Sequence, residues 1–113
     1  MAVTRGEGWR ADLSPTRGSE QSGVRPVLVV QTDRANPHSP HTIIVPFTTK
    51  IRQKVLPSHV LVPAGEGGLT QDSVALCEQI RVIDNSRLLA RLGDLPTPRM
   101  TEVDDALRAI LQL

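Results

Sequence analysis

The chain has 113 residues, 39% of them hydrophobic and 22% charged, with one cysteine and a formal net charge of +1. That length suits one compact domain spanning residues 1–113, and a second domain is not expected. A lone thiol, Cys77, excludes an internal disulfide, makes a reducing compartment the natural home and is read as core, because it lies in an apolar stretch. The first ten residues are charged and carry no apolar run, and segments such as Val27 to Val30 are far too short to cross a bilayer, so a cytoplasmic protein without membrane contact is expected. The charge is unevenly placed: residues 1–54 carry eight Lys/Arg against four Asp/Glu, and residues 55–113 carry five against eight. A basic front half suits contact with a polyanion, although charge alone fits a scattered solvated surface equally well.

Gly8 to Leu13 is predicted as a first strand, because Trp9, Ala11 and Leu13 alternate with Arg10 and Asp12. Ser14 to Val24, with Pro15, Gly18 and Gly23 among polar residues, is a loop long enough to suggest a function. Arg25 to Gln31 is a nearly continuous apolar strand with Pro26 near its start, where a missing amide is tolerated. Asp33 to Pro40 breaks the pattern, and His41 to Thr48 resumes as a β-branched strand, giving a hairpin candidate. Further strands are predicted at Ser58 to Val62 and Ser73 to Val82, separated by the turn-prone Gly65 to Gly68, then a helical turn at Asp84 to Arg87 and a short strand near Leu89 to Leu95. The last segment is a helix: Thr97 is its expected cap, Pro98 suits the first turn, and Met100, Val103, Leu107, Ile110 and Leu111 recur at helical spacing on a core-facing side. Many short strands and one terminal helix predict an α+β, mainly β fold, a small barrel or curled antiparallel sheet with a C-terminal helix.

Standard catalytic constellations are mostly missing. His38 and His41 have the spacing of a weak metal pair, but they sit in a Pro-rich loop without neighbouring cysteine or dense acid, so they read as turn or surface residues and no metal or other cofactor is expected. Gly65 to Gly68 lacks the Lys and Ser/Thr that follow in a phosphate-binding loop. Ser19, Ser22 and Ser73 have no nucleophile-elbow context. Trp9 and Phe47 are the two aromatic residues and are assigned to the core, which argues against base-stacking platforms.

The informative segments are Gly18-Ser19-Glu20-Gln21-Ser22-Gly23-Val24-Arg25-Pro26-Val27-Leu28-Val29-Val30 and Ile43-Ile44-Val45-Pro46-Phe47-Thr48-Thr49. If the hairpin closes near the middle of its loop, antiparallel pairing places Gln31 opposite Thr42 and Arg25 opposite Thr48, with Cβ atoms about 5 Å apart. That register is an assumption, and a slip of one residue sends the two side chains to opposite faces. A guanidinium and a hydroxyl would then meet beside the polar loop, an arrangement suited to a phosphate; the alternative reading is a strand-end Arg25 paired with a carboxylate and an ordinary β-forming Thr48.

In these motifs the sequence resembles the MazF/PemK toxins of bacterial toxin–antitoxin pairs. The resemblance rests on Arg5-Gly6-Glu7 with Trp9, Ala11-Asp12-Leu13, Gly18-Ser19-Glu20-Gln21, Arg25-Pro26-Val27, the strand ending in Thr48, and Asp72-Ser73 followed by Glu78-Gln79-Ile80, and so spans nearly the whole chain. It implies a compact SH3-like (CcdB/PemK-type) barrel with a C-terminal helix, a homodimer, a MazE-like antitoxin that blocks the site, and sequence-selective cleavage of single-stranded RNA to a cyclic phosphate and a 5′-hydroxyl. By matching position it implies Arg25 and Thr48 as the catalytic pair and places Ser19, Glu20 and Gln21 in the substrate loop. Pro46 and Phe47 precede Thr48 at positions where relatives vary.

The chemistry is consistent with these roles. When a 2′-hydroxyl attacks the adjacent phosphorus, negative charge grows on the nonbridging oxygens, and Arg25 offers planar bidentate donation to them. A guanidinium is a poor base, so Glu20 is the better candidate for the 2′-hydroxyl proton, and Thr48 can donate to a phosphate oxygen or steady the leaving group. Ser73 and Gln79 could bind base edges or could serve the dimer alone. Two other functions compete. A CcdB-like gyrase poison is associated with an aromatic residue near the chain end, where this chain has Ala109-Ile110-Leu111-Gln112-Leu113; a noncatalytic SH3-like module needs aromatic groove walls, and the chain has no tyrosine.

Overall fold

The computed structural model describes residues 2–18, 20–51 and 56–113. Seven strands are present among them: β1 (Glu7–Asp12), β2 (Val24–Val29), β3 (His41–Thr48), β4 (His59–Val62), β5 (Ser73–Leu76), β6 (Arg81–Asp84) and β7 (Leu88–Asp94), followed by one long helix, α1 (Thr97–Leu111). The strands form an antiparallel sheet in the order β4-β5-β3-β2-β1-β7, with β6 continuing beside β3. The curled-sheet expectation holds, but the sheet does not close into a barrel, since β4 and β7 remain its two ends.

The alternation in β1 buries Trp9 and Ala11 and exposes Arg10. β2 is apolar on both faces because both are covered: Val27 and Val29 join Trp9, Ala11, Leu13 and Ile44 in one core, while Leu28 joins Val45, Phe47 and the buried face of α1 in the other. Two layers of apolar packing thus hold the central strands from opposite sides. Trp9, Phe47 and Cys77 are all buried, as expected, and burial pushes the Cys77 thiol up to about 12, with the adjacent Glu78 charge adding to the effect.

Ion pairs fasten the helix and the N-terminal segment. The Arg99 guanidinium meets Glu66 in a fork, Nε to Oε1 at 2.8 Å and Nη2 to Oε2 at 3.0 Å, and Arg5 reaches Asp104 at 2.6 Å. Glu7 is 7% exposed and collects the Thr4 amide, the Trp9 indole N–H and Arg91 Nε. Burial alone would raise its carboxyl, but the hydrogen bonds from Arg91, Trp9 and Thr4 together outweigh it and hold the group below the usual carboxylate range.

Three sequence expectations need correction. The predicted strand Ser73 to Val82 is two strands broken by a 3₁₀ turn at Cys77–Gln79. Phe47 pairs with Ala75, whereas Ile44 pairs with Arg81, so three extra residues loop out opposite Val45 and Pro46, where proline has no amide to offer a neighbour. Thr97 is not the cap of α1: Pro96 occupies that position, no side chain caps the end, and Thr97 is the first helical residue. Ile110 and Leu111 are 45% and 47% exposed instead of core-facing, because the buried stripe of α1 ends with Val103, Ala106 and Leu107.

Where the 3₁₀ turn Glu66–Gly68 meets β1 and β7, backbone packs on backbone. A Cβ at Gly8 would fall on the Gly67 carbonyl, and one at Gly68, whose φ is +72°, would fall on the Leu92 carbonyl. Gly68→Ala should therefore cost roughly 2–4 kcal/mol of stability, read by urea denaturation, from a strained backbone and an overpacked contact together. The depressed Glu7 carboxyl contributes stability that is present above the unfolded carboxylate range and lost as pH falls through it. Glu7→Gln should flatten that acid-side slope in pH-dependent denaturation and cost about 1.5–3 kcal/mol at neutral pH.

Candidate active site

The β2–β3 ladder pairs Val27 with Pro46, Leu28 with Val45 and Val29 with Ile44. This is the register expected from the sequence, and continued by two residues it sets Arg25 across from Thr48. The turn end is pinned by Gln31, which donates to Asn36 Oδ1 at 2.9 Å and to the His41 carbonyl at 3.0 Å, and accepts from the Ile43 amide at 3.3 Å. Buried side-chain amides satisfied in this way resist a slip of register.

At the other end, Arg25 and Thr48 line a cleft of about 190 Å³ together with Ser73, Val24, Pro26 and Phe47. The Arg25 guanidinium is held in place by neutral acceptors: Nε donates to the Ser22 carbonyl at 2.8 Å, and Nη1 donates to Gln21 Oε1. Among the described residues no carboxylate lies within ion-pair distance of it. The alternative of a strand-end arginine neutralised by an acid is therefore not what the fold builds. Thr48 is 9% exposed, and its Oγ1 accepts from the Lys50 amide at 3.2 Å, which leaves its hydrogen available for a ligand. Ser73 already donates to the Gln71 carbonyl at 2.9 Å and so meets the cleft mainly as an acceptor.

Glu20 and Gln79 sit elsewhere. They share a separate hollow of about 220 Å³ with Gln21, Pro46, Glu78, Ile80 and Arg81. The two spaces are connected through Gln21, whose amide donates to Gln79 Oε1 at 2.9 Å while its side chain accepts from Arg25. Glu20 is exposed and does not line the Arg25–Thr48 cleft. Ser19 lies outside the described residues. The base of the loop is anchored by the Leu13 amide on the Gly23 carbonyl at 3.0 Å, and by Arg87 and Arg81 on the carbonyls of Asp12, Ser14 and Leu13.

The sequence reading missed Arg10, which lines a broader cavity of about 410 Å³ that adjoins the cleft and shares Val24, Arg25, Pro26, Thr49 and Ser73 with it. Its signal was the β1 alternation, which places Arg10 on the exposed face. Glu78 was missed because the turn that presents it was read as strand, and Arg81, which opens β6 just after that turn, went with it. His38 and His41 are exposed, as expected for surface residues, and among the described residues no three His, Cys, Asp or Glu side chains gather as a ligand set.

A seven-stranded open sheet with a C-terminal helix is the architecture of a known class of toxins. MazF from Deinococcus radiodurans matches with a TM-score of 0.84 at 28% identity over 100% of this chain and 99% of that one. An endoribonuclease in complex with its cognate antitoxin from a Mycobacterial species matches with a TM-score of 0.84 at 25% identity, covering 99% and 97% of the two chains. In sequence, endoribonuclease EndoA of Bacillus subtilis (strain 168) is 48% identical over 113 residues, 100% of this chain and 97% of that protein. Residues 4–111 match the model of the PemK-like, MazF-like toxins of type II toxin–antitoxin systems, and the chain belongs to that family.

Gln79→Ala should loosen the loop that carries Gln21, because the Gln21 amide loses its acceptor. At about 1 kcal/mol for a net hydrogen bond, exchange of the Gln21 amide should accelerate roughly fivefold in NMR hydrogen exchange, with strand amides of β2 unchanged.

Proposed function

We propose that this toxin is an endoribonuclease that cuts single-stranded RNA, mRNA included, without a metal ion, by attack of the substrate's own 2′-hydroxyl on the adjacent phosphorus. The products are a 2′,3′-cyclic phosphate and a 5′-hydroxyl. The observation that carries this reading is the shared cleft in which Arg25, with no carboxylate among the described residues to neutralise it, faces the same space as Thr48. Identity of 48% to an endoribonuclease along the whole chain supports it.

In the proposed mechanism the Arg25 guanidinium binds the nonbridging oxygens, whose charge grows as the fifth bond to phosphorus forms. Because Gln21 and the Ser22 carbonyl already hold it, little reorganisation is needed as that charge develops. Glu20 takes the 2′-hydroxyl proton once RNA draws the loop over the cleft, the Thr48 hydroxyl donates to a phosphate oxygen or steadies the departing 5′-oxygen, and that oxygen takes a proton from water to leave as the 5′-hydroxyl. Gln21, Gln79, Ser73 and Ser19 contact bases and give the cut its sequence preference, while Arg10 and Arg81 hold flanking phosphates.

As the toxin of its pair, the chain works in the cytoplasm as a homodimer and is silenced by a MazE-like antitoxin that covers the cleft. No helix among the described residues is long and apolar enough to cross a membrane.

Purified protein should cleave a mixed-sequence RNA in excess chelator. Arg25→Ala and Thr48→Ala should each lower kcat by about a hundredfold or more while unfolding at the wild-type urea concentration. Full activity in both variants removes the site assignment, and dependence on added magnesium removes the mechanism.

A further inference from the structure

The 3₁₀ turn Cys77–Gln79 presents Gln79 to the substrate loop, and the opposite side of the same turn is bolted to the start of β4. Glu78 accepts from the Ser58 hydroxyl at 3.0 Å through Oε1 and meets His59 Nε2 at 3.0 Å through Oε2. The Cys77 amide donates to the Ser58 carbonyl at 3.0 Å. The Leu56 amide donates to His59 Nδ1 at 3.4 Å, so Nε2 carries the proton and is the donor to Glu78. Ser58 is 5% exposed, and neither Ser58 nor His59 lines the Arg25–Thr48 cleft or the Glu20–Gln79 hollow.

These contacts form one chain of hydrogen bonds and adjacent residues. Ser58 and His59 hold Glu78; Glu78 precedes Gln79; Gln79 accepts from the Gln21 amide; and Gln21 accepts from Arg25. We infer that Ser58 and His59 are positioning residues for RNA cleavage, acting through Glu78 to fix the turn that seats Gln79, and through Gln79 and Gln21 the guanidinium of Arg25. The inference rests on the endoribonuclease reading and deepens it.

The physical reason for such a clamp lies in the turn itself. Its three residues are looped out of the β5–β6 edge and have no partner in β3, so the ladder does not restrain them. A short 3₁₀ segment without such support samples other conformations. Two hydrogen bonds to one carboxylate, from a nearly buried hydroxyl and from a ring fixed by a backbone amide, replace the missing ladder contacts. Small displacements at the reacting centre are costly, because a shift on the order of 1 Å from a remote change can lower the rate by about a hundredfold.

The test is kinetic and spectroscopic, on the full chain with a fluorescent RNA that the wild type cuts. His59→Ala and Ser58→Ala should each lower kcat roughly tenfold or more, with KM moving less, and both should speed exchange of the Gln21 amide. His59→Gln, whose side-chain amide can still donate to Glu78, should recover most of the rate. In a Gln79→Ala background, His59→Ala should have little further effect, since the two act along one path. Independent, multiplying losses from His59→Ala and Gln79→Ala overturn the inference, as do wild-type kcat and wild-type Gln21 exchange in both His59→Ala and Ser58→Ala. Urea midpoints near wild type for Ser58→Ala keep the comparison clear of misfolding if His59→Ala is unstable. A wild type that cuts no RNA sinks the nuclease reading; the clamp is then judged on Gln21 exchange alone.

Discussion

The antiparallel pairing of β2 with β3 is the constraint from which the site follows. Val27 opposite Pro46 fixes every later pair in the hairpin, and a displacement of one residue would turn either Arg25 or Thr48 to the other side of the sheet. The ladder is secured at its loop end and along its length. Gln31 and Asn36 tie the hairpin loop at one end, and two apolar cores grip the central strands between them. The cleft is thus placed by rigid elements, while the loop from residue 13 to 23 supplies the polar groups around it. A cleft set on a stiff frame is what preorganisation requires.

The arginines divide into two kinds of work. Arg5, Arg91, Arg99 and Arg108 each meet a carboxylate, and those at positions 5, 91 and 99 fasten the N-terminal segment, the β1–β7 edge and the helix. Arg25 is oriented by a carbonyl and a side-chain amide, which direct the group without cancelling its charge. Formal net charge near zero therefore says little about polyanion binding in this chain. What counts is which cations the fold leaves uncompensated around a concavity.

Much of the architecture was legible because its signals are local. The alternation in β1, the β-branched run of β3, whose bounds His41 and Thr48 were read correctly, and the helical spacing of α1 all report a periodicity that the backbone obeys. The break at Cys77–Gln79 was not legible, since Val74 to Leu76 and Ile80 to Ile83 look like one apolar strand until the register of β3 demands three residues fewer. Exposure of Ile110 and Leu111 was hidden for a related reason: spacing gives the face of a helix but not where its neighbour ends. The same holds for the site. Arg25 and Thr48 could be brought together by counting across a hairpin, whereas the contact of Gln21 with Gln79 joins segments 58 residues apart and depends on the unforeseen turn.

The glycine contacts at the edge of the fold bear on how such a toxin can diversify. Gly68 and Leu92 both border the cavity that holds Arg10, and there the wall is main chain pressed against main chain, with no room for a side chain at Gly8 or Gly68. Mutation cannot remodel that wall without unseating the sheet. Variation is easier where side chains are not so confined, in the loop after β1 and on the looped-out turn, so the fold steers evolutionary experiment to the rim of the cleft and spares the frame beneath it.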